Sequence, residues 1–258
     1  MLNISHRYKV NGGAKCYQRI EVKQMIELYQ GDCLELMKNI PDNSVDLLLT
    51  DPPYVLNTKG GGTVNKIMKL SESLADVEKA KIINGYDIEL FGQEFLRVMK
   101  EINAYFWCNK AQIYDYLKFY VGQLKCKFDI ICWHKTNALP TYSNKYLSDT
   151  EYLLYFRKGK GKCFPHSYED AKTYYLSASN LKNTKMWKHP TIKPLYITEK
   201  IIRNSSKENY TVLDPFMGSG TTGVACVNTN RNFIGMELDG KYYKIAEERI
   251  NSAIKQIT

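Results

Sequence analysis

The sequence predicts an α/β fold of the Rossmann-like kind, with a mostly parallel, doubly wound sheet. Three observations carry that prediction. Short apolar runs that read as strands alternate with stretches of helical period through most of the chain. One such run, residues 45–50, stops at Asp51-Pro52-Pro53-Tyr54, where two prolines forbid its continuation. Another, residues 210–214, leads into Pro215-Phe216-Met217-Gly218-Ser219-Gly220-Thr221, a glycine-rich turn before a helix. The carboxyl ends of strands are where open α/β sheets bind their ligands, so both turns are candidate sites.

Taken in order, the chain opens with a basic arm, residues 1–24. It carries Arg7, Lys9, Lys15, Arg19 and Lys23 against Glu21 alone, so five minus one leaves four of the nine net positive charges. Residues 25–29 form a first strand, and Asp32 is placed to cap a helix over 34–39. The strand at 45–50 follows, then a loop, 55–85, containing Gly60-Gly61-Gly62 and no strong period. Apolar residues at Leu90, Phe91, Phe95, Leu96, Val98 and Met99 predict an amphipathic helix over 87–100. A strand is expected at 104–108, a helix at 111–125, and strands at 128–133 and 152–156. The Lys/Tyr-rich stretch 157–188 breaks the alternation and reads as an insertion that is not part of the sheet. A helix at 195–205, the strand at 210–214, a helix over 218–227, a strand at 232–237 ending in Glu237 and a last helix over 241–255 complete the chain.

Composition narrows the class. With 258 residues, 44% hydrophobic and 24% charged, the chain suits one large α/β domain, or a core domain plus a small insertion. A net charge of +9 fits an anionic partner such as nucleic acid, and twenty tyrosines among lysines suit base stacking. Seven cysteines without a C-x-x-C pair, and no grouping with the four histidines, read as free thiols in a reducing cytoplasm with no metal site. No apolar run approaches the ~18 residues of a membrane span, so no membrane partner is expected.

The two turns complement each other chemically. Asp51, the carbonyl of a proline and Tyr54 place polar acceptors beside an aromatic ring, which suits a flat heterocycle bearing an amino group. Taken alone, those four residues read more readily as a proline-rich turn leaving a strand. Gly218 and Gly220 allow close approach and positive φ, and the following helix offers free N–H groups. The turn matches neither the phosphate-loop nor the dinucleotide fingerprint. Glu237, about 20 positions on, ends the next strand where a ribose diol would bind.

Together, Asp51-Pro52-Pro53-Tyr54 and Phe216-Met217-Gly218-Ser219-Gly220 resemble the catalytic and cofactor motifs of S-adenosylmethionine-dependent amino-methyltransferases of DNA. With the catalytic motif first and the cofactor loop last, the order resembles the β group, whose sheet is circularly permuted. Gly31-Asp32-Cys33-Leu34, Trp133-His134-Lys135, Glu151-Tyr152 and His189-Pro190-Thr191-Ile192-Lys193-Pro194 fit the same pattern, which spans roughly residues 25–249.

The resemblance implies a catalytic half at 25–156, target recognition in the insertion 157–188, and a cofactor-binding half at 189–258. Asp51, Pro52, Pro53 and Tyr54 would form the catalytic site, with Tyr54 stacking on a flipped base. Asp32, Lys193, Asp214, Phe216, Gly218, Ser219, Gly220, Thr221 and Glu237 would surround the cofactor, Lys193 facing its methionine carboxylate. Asp32 already has a use as a helix cap, and Lys193 could be an ordinary solvated lysine. Adenine N6 in double-stranded DNA is the implied target, because an aspartate rather than a serine begins the motif. Cytosine N4, or a homologue that binds without turnover, is the alternative. A second copy of the chain and a cognate restriction endonuclease are the further partners implied. No Pro-Cys dipeptide occurs, which argues against methylation at cytosine C5.

Overall fold

The computed structural model describes residues 24–53, 86–138, 140, 144, 146–159, 162–178 and 192–257. The basic arm up to residue 23, Tyr54 and the glycine-containing loop lie outside them. Eight strands form one sheet in the order β1-β8-β7-β2-β3-β5-β4-β6. They are β1 (Ile26–Gln30), β2 (Leu47–Thr50), β3 (Asn103–Cys108), β4 (Lys127–Lys135), β5 (Thr150–Arg157), β6 (Tyr174–Ser177), β7 (Thr211–Asp214) and β8 (Asn232–Glu237). Only β5 runs against its neighbours, antiparallel to both β3 and β4. The mostly parallel, doubly wound prediction holds.

Strand alternation divides the core between the two faces. On one, Leu48, Phe106, Leu154, Phe156 and Met236 pack under α1 (Cys33–Met37), α2 (Ile88–Val98) and α3 (Ile113–Tyr116). On the other, Leu47, Leu49, Trp107, Leu153 and Phe233 pack under α5 (Leu195–Ser205), α6 (Thr221–Asn228) and α7 (Gly240–Ile257). Every residue of β2 and β3 is buried, as expected of central parallel strands covered on both faces. Asp32 caps α1 as expected, its carboxylate accepting from the Leu34 and Glu35 amides.

Two expectations need correction. The helix expected over 111–125 is α-helical only at Ile113–Tyr116 and continues as wider π-type turns over Leu117–Gln123. Those turns let Phe119 and Tyr120 both reach the core, where Tyr120 stacks on Phe156 at 4.6 Å. The stretch read as an insertion outside the sheet contains α4 (Tyr168–Ala171) and β6, which pairs in parallel with β4 from Cys132↔Tyr174 to Lys135↔Ser177. Four residues are too few to show a period of two, and both Tyr174 and Leu176 remain exposed at the edge. Among the described residues, no helix is long and apolar enough to cross a membrane.

Helix packing explains one of the loop glycines. Gly220 has φ +78°, and a Cβ there would lie 2.9 Å from the Cα of Ala246 in α7. Its missing side chain thus serves the α6–α7 contact as well as the turn. Gly220→Ala is expected to cost about 2–4 kcal/mol, combining left-handed strain with overpacking. Urea unfolding would show it as a lower midpoint with an unchanged m-value.

Candidate active site

Asp51 directly follows β2, and the strand's alternation puts it on the same face as Leu47 and Leu49. Its Oδ2 lies 2.8 Å from Nζ of Lys193, which is 7% exposed in the segment before α5. The same ammonium lies 2.8 Å from Oε2 of Glu151, in β5, and Glu151 also pairs with Lys135 of β4. Four alternating charges therefore line one sheet face. Each lysine rests on an indole: Lys193 Nζ is 5.2 Å from the Trp107 ring centre and Lys135 Nζ 5.2 Å from that of Trp133. The two indoles meet edge to face at 6.4 Å. Burial alone would raise the Glu151 pKa, but Lys193 and Lys135 overcome it and hold the carboxyl at about 2.

The rest of the turn is fixed from the segment between β3 and α3. Buried Gln112 donates from Nε2 to the Pro53 carbonyl at 3.1 Å, and its backbone N–H is held by Asn109. Nearby Cys108 is pushed up to about 12, by burial first and then by Asp51, so it stays a neutral thiol rather than a nucleophile. Among the described residues no three His, Cys, Asp or Glu side chains group as metal ligands.

The cofactor-type loop lies one strand away, because β2 and β7 are neighbours through Leu47↔Val212 and Leu48↔Leu213. Asp214 ends β7 fully buried. Its Oδ1 accepts from the Thr50 hydroxyl at 2.7 Å and the Phe216 amide at 3.2 Å, and its Oδ2 from the Thr222 hydroxyl at 2.6 Å. It braces β2, β7 and α6. Ser219 and Thr221 also turn inward: the Arg249 guanidinium donates to Ser219 Oγ at 2.8 Å and reaches Thr221 Oγ1 at 3.4 Å. Phe216 joins Tyr86 and Phe91 in an aromatic cluster, with ring centres 5.6 and 5.5 Å away.

Glu237 takes the Gly218 amide on Oε2 and the Asp239 amide on Oε1, both at 2.9 Å. Burial raises its pKa, opposed by those amides. The Gly31 amide donates to the Glu237 carbonyl at 2.9 Å, which brings Asp32 beside it. Glu237 thus meets the glycine loop directly while the Asp32 carboxylate caps α1, and each oxygen of Glu237 still has a lone pair to offer a hydroxyl. A ribose diol fits that donor–acceptor arrangement.

The sequence-predicted residues divide accordingly. Asp51, followed by Pro52 and Pro53, meets Lys193 at the end of β2, whereas Phe216, Gly218 and Glu237 lie at the loop and Asp32, capping α1, follows the Gly31 amide that meets Glu237. The side chains of Asp214, Ser219 and Thr221 face the protein interior. Sequence reasoning placed Lys135 and Glu151 in the family pattern without a role, and did not single out Gln112 or Trp107. Glu151 had a signal, for it shares strand parity with Leu153 and Tyr155, both buried.

Residues 45–248 match the DNA methylase family of N6/N4 methyltransferases. The chain belongs to that family. It is 32% identical over 260 residues to the type II methyltransferase M2.LlaDCHI of Lactococcus lactis subsp. cremoris, covering 93% of this chain and 94% of that one. It is 30% identical over 243 residues to M2.MboI of Moraxella bovis, covering 86% of each. Among solved structures, the M1.HpyAVI–SAM complex aligns with a TM-score of 0.63 at 29% identity, over 87% of this chain and 100% of that one. The cytosine-N4-specific PvuII DNA methyltransferase aligns at 0.64 over 91% and 93%, but at 19% identity it is a likeness of fold alone. The methyltransferase is thus of the amino-methylating kind.

Burial, more than any other influence, raises the Asp214 pKa to about 7, against the hydrogen bonds from Thr222 and Thr50. Because the folded state binds this proton more tightly than the unfolded chain does, the associated stability is complete below about pH 4. It is lost as pH rises through 7. Asp214→Asn keeps the shape without the titration, so its melting temperature should gain on the wild type by roughly 5 °C or more between pH 4 and 8. Thermal scans across that range check it.

Proposed function

We propose that this methyltransferase transfers the methyl group of S-adenosylmethionine to the N6 amine of adenine in double-stranded DNA, as the modification half of a type II restriction system. The observation that carries the reading is the placement of Asp51 one strand from the Gly218–Gly220 turn, on neighbouring β2 and β7. An exocyclic amine is a poor nucleophile because its lone pair is delocalised into the ring. Hydrogen-bond acceptors aimed at its hydrogens favour pyramidal nitrogen and stabilise the charge that develops there. Asp51 supplies a carboxylate oxygen and Pro52 a carbonyl, and the departing amine proton is held first at Asp51.

Bound at the loop, S-adenosylmethionine supplies a methyl group on an electrophilic sulfonium. Glu237 would take the ribose hydroxyls, Asp32 would lie near the adenosine, and Phe216 would offer an aromatic face. Gly218, Ser219, Gly220 and Thr221 would contribute backbone, since the two hydroxyls already serve Arg249. Tyr54 would stack on the flipped base. Neutral Cys108 agrees with direct transfer without a covalent enzyme intermediate.

Adenine is favoured over cytosine by Asp51, where a serine is commoner in cytosine-N4 enzymes. For target recognition within 157–188, exposed Tyr168 and Tyr174 beside Lys172 offer stacking and phosphate contacts. A cognate endonuclease is the partner that the type II reading implies.

Expression in a host lacking adenine methylation should place N6-methyladenine in genomic DNA, read by nucleoside mass spectrometry. N4-methylcytosine alone, or no methylated base despite soluble protein, would overturn the assignment. Asp51→Ala should lower turnover by at least about 100-fold. Its cofactor affinity, measured by calorimetry, should survive; a parallel loss of affinity would contradict the role given to Asp51.

A further inference from the structure

The charge chain beneath Asp51 extends past anything the methyl transfer itself requires. Pairing of Trp133 with Glu151 and of Trp107 with Leu153 puts Trp107, Trp133, Lys135 and Glu151 on one sheet face, the face from which Asp51 projects. Side-chain exposure falls from 25% at Asp51 to 7% at Lys193, with Glu151 at 14% and Lys135 at 22%. Glu151 meets Asp51 through the buried Lys193 ammonium that both carboxylates share. Lys193 is equidistant, at 2.8 Å, from the carboxylates of Asp51 and Glu151. The Trp107 ring beneath it adds a cation–π contact.

We propose that Glu151 is a positioning residue for Asp51, acting through Lys193, and that by sharing the ammonium it leaves Asp51 able to accept the substrate amine's hydrogens. The inference rests on the amino-methyltransferase reading above. The electrostatic reason is direct. A carboxylate that alone neutralises a buried ammonium is tightly held and is a weaker acceptor toward a neutral N–H. A second carboxylate on the same ammonium divides that demand. Glu151 is itself kept ionised by its second lysine, Lys135, so the division persists whether or not substrate is bound. Among the described residues the charges alternate, Lys135 positive, Glu151 negative, Lys193 positive, Asp51 negative, two of each sign. Neither lysine depends on substrate or cofactor for a counter-charge.

The test uses the full chain with S-adenosylmethionine and target DNA. Glu151→Gln preserves shape and removes the charge. Its kcat should fall by on the order of 100-fold, the scale of a small displacement of a catalytic group. Dissociation constants for S-adenosylmethionine, by calorimetry, and for DNA, by fluorescence anisotropy, should stay within about threefold of wild type, because Glu151 acts through Lys193. In a Lys193→Gln background the same substitution should cost at most about twofold more, since the route through the ammonium is already gone. That comparison stands even if Glu151→Gln alone does not fold, because the double variant removes both buried charges together.

The proposal is overturned by an unchanged kcat in Glu151→Gln or by losses that multiply in the double variant. It is equally overturned by a rise in the cofactor dissociation constant matching the loss of turnover. Absence of DNA methylation by the unaltered protein would instead remove the amino-methyltransferase reading, and this inference with it.

Discussion

The hydrogen bond between the Thr50 hydroxyl and Asp214 joins residues 164 apart in sequence at the centre of the sheet. Everything that makes a site depends on it and on the short β2–β7 pairing around it. Neither strand end is a site alone: Asp51 offers an acceptor with nothing to deliver, and the glycine loop offers a cradle with nothing to react. The fold brings them together because β7 and β8 insert between β1 and β2, so strands from late in the chain lie inside the sheet beside β2. Asp214, at that seam, binds three parts of the fold at once. Its two oxygens gather Thr50, Phe216 and Thr222, and its burial is what perturbs its titration.

The glycine loop is likewise positioned from behind. Arg249 of α7 reaches the Ser219 hydroxyl and carbonyl, and Gly220 lies against Ala246 of the same helix. Burial lowers the Arg249 pKa to about 10, yet it remains a cation at neutral pH and a donor to the loop. The loop's shape is therefore held by Arg249 and Ala246 of α7. In front, the two Glu237 carboxylate oxygens fix the amides of Gly218 and Asp239, so the acid and the turn are oriented by one another. Preorganisation of this kind limits what must be ordered when a ligand arrives.

The fold was largely legible because central parallel strands are continuous apolar runs and their helices have a clear period. Residues 195–205 match α5, and the strands around both motifs fall within a residue or two. What escaped reading was set by tertiary packing. β6 is too short for periodicity to register, and the π-type turns over Leu117–Gln123 arise from fitting Phe119 and Tyr120 under the sheet. At the site, the residue types in the two motifs declared themselves, but the directions of their side chains did not. Ser219, Thr221 and Asp214 look like ligand contacts in sequence because a hydroxyl or carboxylate beside a glycine turn has two possible faces. Glu151 and Lys193, 42 positions apart, become partners only when β5 is laid against β3 and the segment before α5 crosses it.

Stability alone does not explain why such a chain of charges is kept. Replacing a buried ion pair with apolar side chains of similar volume is often neutral or stabilising by about 1–4 kcal/mol, because desolvation offsets most of the Coulomb gain. The surroundings here are already apolar and aromatic: Trp107, Trp133 and Leu153 would accept such residues in place of Lys193 and Glu151. A carboxylate intended to accept from a neutral amine, however, must stay ionised at the edge of that apolar layer. A single lysine would secure its charge but claim its oxygens. Two lysines and a second carboxylate secure the charge while dividing the claim. This arrangement links the buried network to the chemistry at Asp51.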